Sequence, residues 1–310
     1  MRKLVIAFFL LLPALAEAQQ YPLYTQTNFN NFGDNPAFAG TSDCADVMIG
    51  YRKQWAEFEG SPVTLFLNGH GKIEPKNSRK TSFWGVGGRV FNDEAGPFNS
   101  IQLELGGAYH VKISRKMFFS VGLFAGVINS RFNVAGLTLS NFGDPAINGS
   151  QASILGPSIT PGFLLYNERF YMGFSIQNMI DLDIPDVGLQ TRTARHYIFK
   201  VANAFTMSER SQIIPSVIIR YAYSAPVAYD INVIYRLDKK FELGVAYRNQ
   251  NAIAALIQFK VFDMFSLGYS YDYTLNNIKY GTHGSHEIIL RFKSCELGGN
   301  SPIAPCAAFN

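Results

Sequence analysis

The feature that most constrains this chain is an apolar/polar alternation of period two, recurring almost without pause from residue 45 to residue 294. The clearest stretch places Phe265, Leu267, Tyr269, Tyr271 and Tyr273 on one face, against Ser266, Gly268, Ser270 and Asp272. Successive side chains of a strand point to opposite faces, so such a strand is aromatic and greasy on one side and small and polar on the other. The pattern repeats with Ile288, Leu290 and Phe292 against Glu287, Ile289, Arg291 and Lys293. It repeats again with Tyr229, Ile231, Val233, Tyr235 and Leu237 against Asp230, Asn232, Ile234 and Arg236. Ile101, Leu103, Leu105, Tyr109 and Val111 likewise oppose Gln102, Glu104, His110 and Lys112.

A soluble sandwich also alternates, with its apolar face inside. Three further signals favour a strand-built membrane span. The strands run to about ten residues or more, the length a tilted span needs. Tyrosines gather towards strand ends, as in the aromatic girdles of membrane barrels. Charged residues are only 16% of the chain, below the roughly 25% of soluble domains. Residues 1–18 read as a secretory signal peptide, with Arg2 and Lys3, an apolar run from Leu4 to Leu15, and Ala16-Glu17-Ala18 as an A-x-A cleavage site. The mature chain is then expected to begin at Gln19. No Cys follows the cleavage site directly, so a lipid-anchored product is not expected. Beyond residue 18 no apolar stretch is long enough for a spanning helix. Only helices and closed barrels satisfy their backbone groups in lipid, so the expected fold is all-β, a transmembrane antiparallel β-barrel.

Fourteen strands are expected, at about 45–54, 62–73, 82–92, 99–112, 117–131, 155–167, 169–179, 196–207, 211–223, 228–237, 241–249, 252–262, 264–274 and 285–294. The second and the sixth are the least regular, and Pro157 and Pro161 interrupt the sixth. Tight turns at Ser114-Arg115, Asn167-Glu168, Ser208-Glu209-Arg210, Asp238-Lys239 and Asp263 alternate with longer links at 131–154, 180–195 and 274–284. That asymmetry matches short periplasmic turns and long external loops. The link at 74–81 is long for its side, and 224–227 and 250–251 are short for theirs. An even strand number puts both termini on one side. The expected organisation is a signal peptide (1–18), a periplasmic N-terminal leader (19–44), the outer-membrane barrel (45–294) and a periplasmic C-terminal tail (295–310).

The alternation assigns Arg52, Arg89, Lys200, Arg220, Arg236, Arg248 and Arg291 to the lumen face, together with Glu104, Asp230, Glu242, Asp272 and Glu287. Buried charges are normally paired, so a filled, mutually satisfied interior is the preferred reading over a water-filled anion pore. The Asn-rich segment Thr25–Asn35 could plug that lumen, contact a periplasmic partner, or be a plain unstructured leader. Cys44 precedes the first strand and Cys295 follows the last. A Cys44–Cys295 disulfide would staple the seam, Cys295–Cys306 would close a small loop in the tail, and free thiols are the third option.

No constellation for catalysis is evident. The histidines are 70, 110, 196, 283 and 286, and His283 with His286 sits at a loop-to-strand junction. Neither a G-x-S-x-G nor an H-E-x-x-H element occurs, and Gly85-Val86-Gly87-Gly88 lies within strand alternation rather than in a phosphate loop. No catalytic residue, metal site or cofactor is expected. A net charge of +4 without a basic, aromatic-interleaved cluster gives no reason to expect nucleic acid.

Several ordered stretches resemble the PorP/SprF family of type IX secretion and gliding proteins. Asn35-Pro36-Ala37-Phe38-Ala39-Gly40 is similar to its NPAYAG segment, with Phe38 in place of Tyr. Tyr51-Arg52-Lys53-Gln54-Trp55, followed by Phe58, Gly60, Pro62 and Thr64, is similar to its YRxQW…F.G.P.T signature and is the most specific match. Asp93 with Gly96-Pro97, Gly173–Asn178, His196-Tyr197, Tyr247-Arg248, Gly268–Asp272 and Ser285–Glu287 resemble further landmarks. The resemblance implies a non-enzymatic outer-membrane component of type IX secretion and gliding. Its implied partners are the C-terminal domain of a secreted surface protein or adhesin, translocon components, and in some systems a periplasmic peptidoglycan-associated lipoprotein. With the N-terminus periplasmic, residues 54–61 become an external loop. Arg52, Gln54, Trp55, Phe58, Gly60 and Pro62 then either form a docking surface for the cargo, with Trp55 and Phe58 as aromatic anchors, or fold inward and brace the barrel mouth. The alternative function is a porin or a transporter of small hydrophobic molecules.

Overall fold

The computed structural model describes residues 24–42, 45–73, 81–133, 151–183, 192–223, 225–249, 251–262 and 264–294. All three cysteines lie outside these residues, as do the expected signal peptide and C-terminal tail. Each strand pairs antiparallel with its neighbours in sequence, and the first strand also pairs with the last. The strands are β1 (Ala45–Lys53), β2 (Val63–Ile73), β3 (Ser82–Ala95), β4 (Phe98–Lys112), β5 (Phe118–Asn133), β6 (Gln151–Tyr166), β7 (Phe170–Gln177), β8 (His196–Asn203), β9 (Phe205–Ser208), β10 (Ser211–Ala222), β11 (Ala228–Leu237), β12 (Phe241–Arg248), β13 (Ala252–Lys260), β14 (Phe265–Thr274) and β15 (Ser285–Ser294). β8 and β9 are two pieces of one stave, broken at Ala204, so the barrel has the expected fourteen. The seam runs from Ala45 opposite Ser294 to Lys53 opposite His286. Closure pairs the first strand with the last, so the sheet has no free terminal strand.

Alternation sets the two faces of the wall. Outward, Val47, Ile49, Leu65, Leu67, Val121 and Leu123 form an exposed apolar band. Tyr51, Tyr221, Tyr229, Tyr247 and Tyr273 ring it near the end where β1 finishes, here termed the loop end. Trp84, Tyr109, Phe119, Tyr235 and Phe259 ring it near the opposite, terminus end. Two aromatic belts around an apolar band are the signature of a membrane barrel.

Three expectations about the elements change. The third strand, expected to end at 92, runs on to Ala95, and the link to β4 tightens to Gly96-Pro97, with Gly96 at φ +57°. β6 begins earlier than expected and runs through both prolines. The Ile159 carbonyl accepts from Met179 on the β7 side, so Pro157 and Pro161, of the same parity, direct their missing N–H groups to that side too. The described β6–β7 ladder covers only Gly162–Tyr166, so neither proline removes a bond from the complete β5–β6 ladder.

The third change is the largest. The segment expected as a periplasmic leader is, over its described part, folded inside the barrel, and every residue from Tyr24 to Ser42 is buried. It contains one helical turn, α1 (Asn31–Asp34), and a 3-10 turn (Pro36–Phe38). Of the three readings open for Thr25–Asn35, the plug is the one found.

Candidate functional site

The plug is held by asparagines that cap its own turns and reach the wall. Asn30 Oδ1 accepts the Gly33 N–H and an Asn68 amide proton at 2.8 Å. Asn35 Oδ1 accepts the Ala37 N–H, fixing the 3-10 turn, while its Nδ2 donates to the carbonyls of Phe163 and Phe174. Asn favours both tasks because a short side chain with a donor and an acceptor can satisfy its own backbone and a neighbour. The turn packs so closely that wall glycines are required. A Cβ on Gly122 would lie 2.4 Å from Ala37 N, and one on Gly85 would lie 1.9 Å from Ala39 O. Beneath it, His110 Nε2 bonds the Ala39 carbonyl while Nδ1 bonds Tyr166 Oη, and Phe83 stacks on the imidazole.

Charge pairs, beside a buried apolar cluster that includes Phe66, Phe124, Ile218 and Leu256, occupy the rest of the lumen. Arg89 Nε donates to Glu104 at 2.5 Å, and the same guanidinium bonds the Gly33 carbonyl of the plug. Lys200 Nζ meets Asp34 at 2.7 Å. Arg220 pairs with Asp230, Arg236 with Glu242 and Arg291 with Asp46. All twelve charges assigned to the lumen face thus find partners, as a filled interior requires. Asp34 and Asp46 complete the set, and sequence reading had singled out neither.

At the loop end, Arg52 organises a cluster around the start of the plug. Its guanidinium donates to Asp272 at 2.8 Å, to Glu287 at 3.3 Å and to Thr25 Oγ1 at 2.6 Å. Thr25 Oγ1 in turn donates to Asp272, and the Thr25 and Gln26 N–H groups donate to the two oxygens of Glu287. Arg248 donates to the Tyr24 carbonyl and to Thr25.

The β1–β2 connection rises directly from this cluster. Gln54 N–H donates to the Pro62 carbonyl and closes the loop at its base. Trp55, at φ +51°, donates its N–H to Ser285 Oγ, and Ala56 N–H donates to Gly284 O. Gly60, at φ +70°, accepts from the Gly96 N–H. Glu57 pairs with His283, while His286 bonds Tyr269 Oη, so the two histidines do not converge. Among the described residues no group of three or more His, Cys, Asp or Glu could hold a metal. The six expected site residues therefore separate. Arg52 turns inward, Gln54 and Trp55 line the mouth, Gly60 and Pro62 shape the loop, and Phe58 stands 52% exposed beside Gly281 and the outward Tyr280.

The family-like segments are now seen at work: Asn35–Gly40 is the wedge within the lumen, and Tyr51–Thr64 is the braced mouth. The family model described as "Type IX secretion system membrane protein PorP/SprF" matches residues 16–292. The chain belongs to this family. It is therefore a membrane component of type IX secretion, with an outer-membrane-type barrel. No curated protein matches the chain. Among solved structures, a Pseudomonas aeruginosa FadL homologue aligns at TM-score 0.51 and 12% identity, covering 90% of this chain and 95% of that one. The Ralstonia pickettii toluene transporter TbuX aligns at TM-score 0.50 and 11% identity, covering 85% and 92%. At such identities the likeness concerns the fold, and it agrees with a place in the outer membrane for this PorP/SprF member.

Proposed function

We propose that this PorP/SprF protein is a non-enzymatic receptor whose loop-end face binds the C-terminal domain of a secreted surface protein and supports its export or attachment. The observation that carries the reading is the β1–β2 loop. It is tied to the β14–β15 loop through Trp55, Ala56 and Glu57, and to the β3–β4 turn through Gly60. That bracing holds Phe58 and Tyr280 outward on a fixed platform. Aromatic side chains on a preorganised surface lose little entropy on binding and often dominate the energy of an interface. The plug favours this reading over an open porin, because it replaces a water path with paired charges.

The likeness to the toluene transporter TbuX favours a second reading, passage of small hydrophobic molecules. Inward apolar side chains such as Phe66, Phe124 and Ile218 are buried in a packed cluster, and the plug occupies the lumen, which weighs against it.

The test is affinity capture from gently solubilised outer membranes, with wild type beside Phe58→Ala, Tyr280→Ala and Trp55→Ala. Capture of a large secreted protein is expected, reduced about tenfold or more by Phe58→Ala, in keeping with anchor residues worth more than about 1–2 kcal/mol. Unchanged capture by a correctly inserted Phe58→Ala/Tyr280→Ala double variant would remove the docking reading. Repeated recovery of the barrel alone would move weight to the transporter.

A further inference from the structure

The plug has a direction. Its last described residues lie at the terminus end: Gly40 N–H bonds His70 near the close of β2, and β1 opens at Ala45 opposite Ser294. Its first lie at the loop end. The Tyr24 carbonyl accepts from Arg248, the last residue of β12. Thr25 is held by Arg52, one residue before β1 ends, and by Asp272, two before β14 ends. The chain thus crosses the barrel once more inside the lumen. An even number of wall strands therefore does not place both ends on one side.

Immediately above Tyr24 and Thr25 the mouth opens into a hollow lined by Arg52, Gln54, Trp55, Arg248, Asn251 and Asn276. One lining residue, Arg52, has a buried Nε without a partner in the protein, and its side chain is 2% exposed. Arg248 and Asp272 in the lining pair with each other, and three amides, the hydroxyls of Thr274 and Ser285, Ala252 and one indole complete it, a surface suited to an uncharged polypeptide rich in amides and aromatics. The residues that precede Tyr24 in the expected mature chain are Gln19-Gln20-Tyr21-Pro22-Leu23.

We propose that this hollow is the exit port of the chain's own N-terminal segment, residues 19–23, and that the mature N-terminus is presented on the loop face, across the membrane from the barrel's C-terminal strand end. Length supports this. Five extended residues span at most about 17 Å. The nine residues of β1, at ~3.4 Å each and tilted by ~40°, stand about 23 Å tall. The segment cannot return to the terminus end, and the plug already fills the way. A partner docking on the loop face would meet this segment beside Trp55. The inference rests on cleavage after Ala18 and stands apart from the cargo reading.

Three full-length versions carry one epitope each: between Gln20 and Tyr21, after Gly143 in the β5–β6 connection, and after Asn77 in the β2–β3 link. Antibody is applied to intact and then to permeabilised cells. The N-terminal epitope is expected to behave as the Gly143 one does and opposite to the Asn77 one. An N-terminal epitope that follows Asn77 overturns the proposal. An unexpected orientation of the barrel would move the Gly143 epitope as well, so it would contradict the external placing of the loops without touching this inference. Should the epitope block assembly, Gln20→Cys in a Cys44→Ser/Cys295→Ser/Cys306→Ser background replaces it. Labelling by a membrane-impermeant maleimide from the loop side is expected, and labelling below a tenth of the denatured control from that side overturns the proposal.

Discussion

Glu287, on the last strand, accepts the backbone N–H of Thr25 at 2.7 Å, across 262 positions of sequence. Its other oxygen takes the Gln26 N–H, so one buried carboxylate fixes the start of the plug to the wall. Removing one member of a buried charged set leaves its partners uncompensated, a loss of about 3–5 kcal/mol. Glu287→Ala is therefore expected to lower barrel stability by that order, because Arg52 and two backbone donors lose their acceptor. Glu287→Gln keeps one acceptor oxygen and the shape, and should cost distinctly less. Denaturant titration in detergent, followed by heat-modifiable gel mobility, measures both. Equal and small effects would mean that the plug does not depend on this anchor.

Lys200 and Asp34 provide a cleaner separation of pairing from packing. They meet at 2.7 Å with both side chains 3% exposed. Asp34→Asn leaves a buried ammonium with neutral acceptors alone, the new amide oxygen, the Thr27 carbonyl and Asn31, and Lys200→Met leaves a buried carboxylate. Each single change is expected to destabilise by about 3–5 kcal/mol, and the double change by less than their sum, with a coupling of about 2–3 kcal/mol. Additive losses in the same titration would show that the two residues act independently.

The barrel was legible because its rule is local. A period of two names the inward and outward residue of every strand, and Phe265–Tyr273 carries that rule without an exception. The plug was legible only as one of three readings, because Thr25–Asn35 has no period and its partners are scattered from Asn68 to Glu287. A quantitative clue was nevertheless present. The lumen face as first assigned held seven basic residues against five acidic ones. A closed interior does not tolerate two unmatched cations. Asp46 on β1 and Asp34 in the plug supply the missing charges. The mouth was half legible: the tryptophan and phenylalanine drew notice by residue type. Their separation into a lining Trp55 and an outward Phe58 depends on hydrogen bonds to the β14–β15 loop, 230 positions away.

Gly85 and Gly122 carry the last prediction. On β3 and β5 they face the lumen where the plug's backbone, not a side chain, lies against the wall. An added Cβ at either position meets Ala39 O or Ala37 N within 2.4 Å, and backbone cannot step aside as a flexible side chain can. Neither glycine has a positive φ, so the strands themselves accept a larger residue. Gly85→Val/Gly122→Val should therefore leave the barrel folded while driving residues 35–40 off the wall and admitting water to the lumen. Gly244→Ala is the control, since the atoms nearest its Cβ would be side-chain atoms of Ile234 and Leu256 at 3.2–3.4 Å. In planar bilayers the double variant is expected to conduct well above wild type, and Gly244→Ala to match wild type. In protease digests the displaced plug should be cut where the native one is protected. A double variant with native conductance and native protection would show that the wall yields rather than the plug, and that the close approach at these glycines is not what keeps the lumen shut.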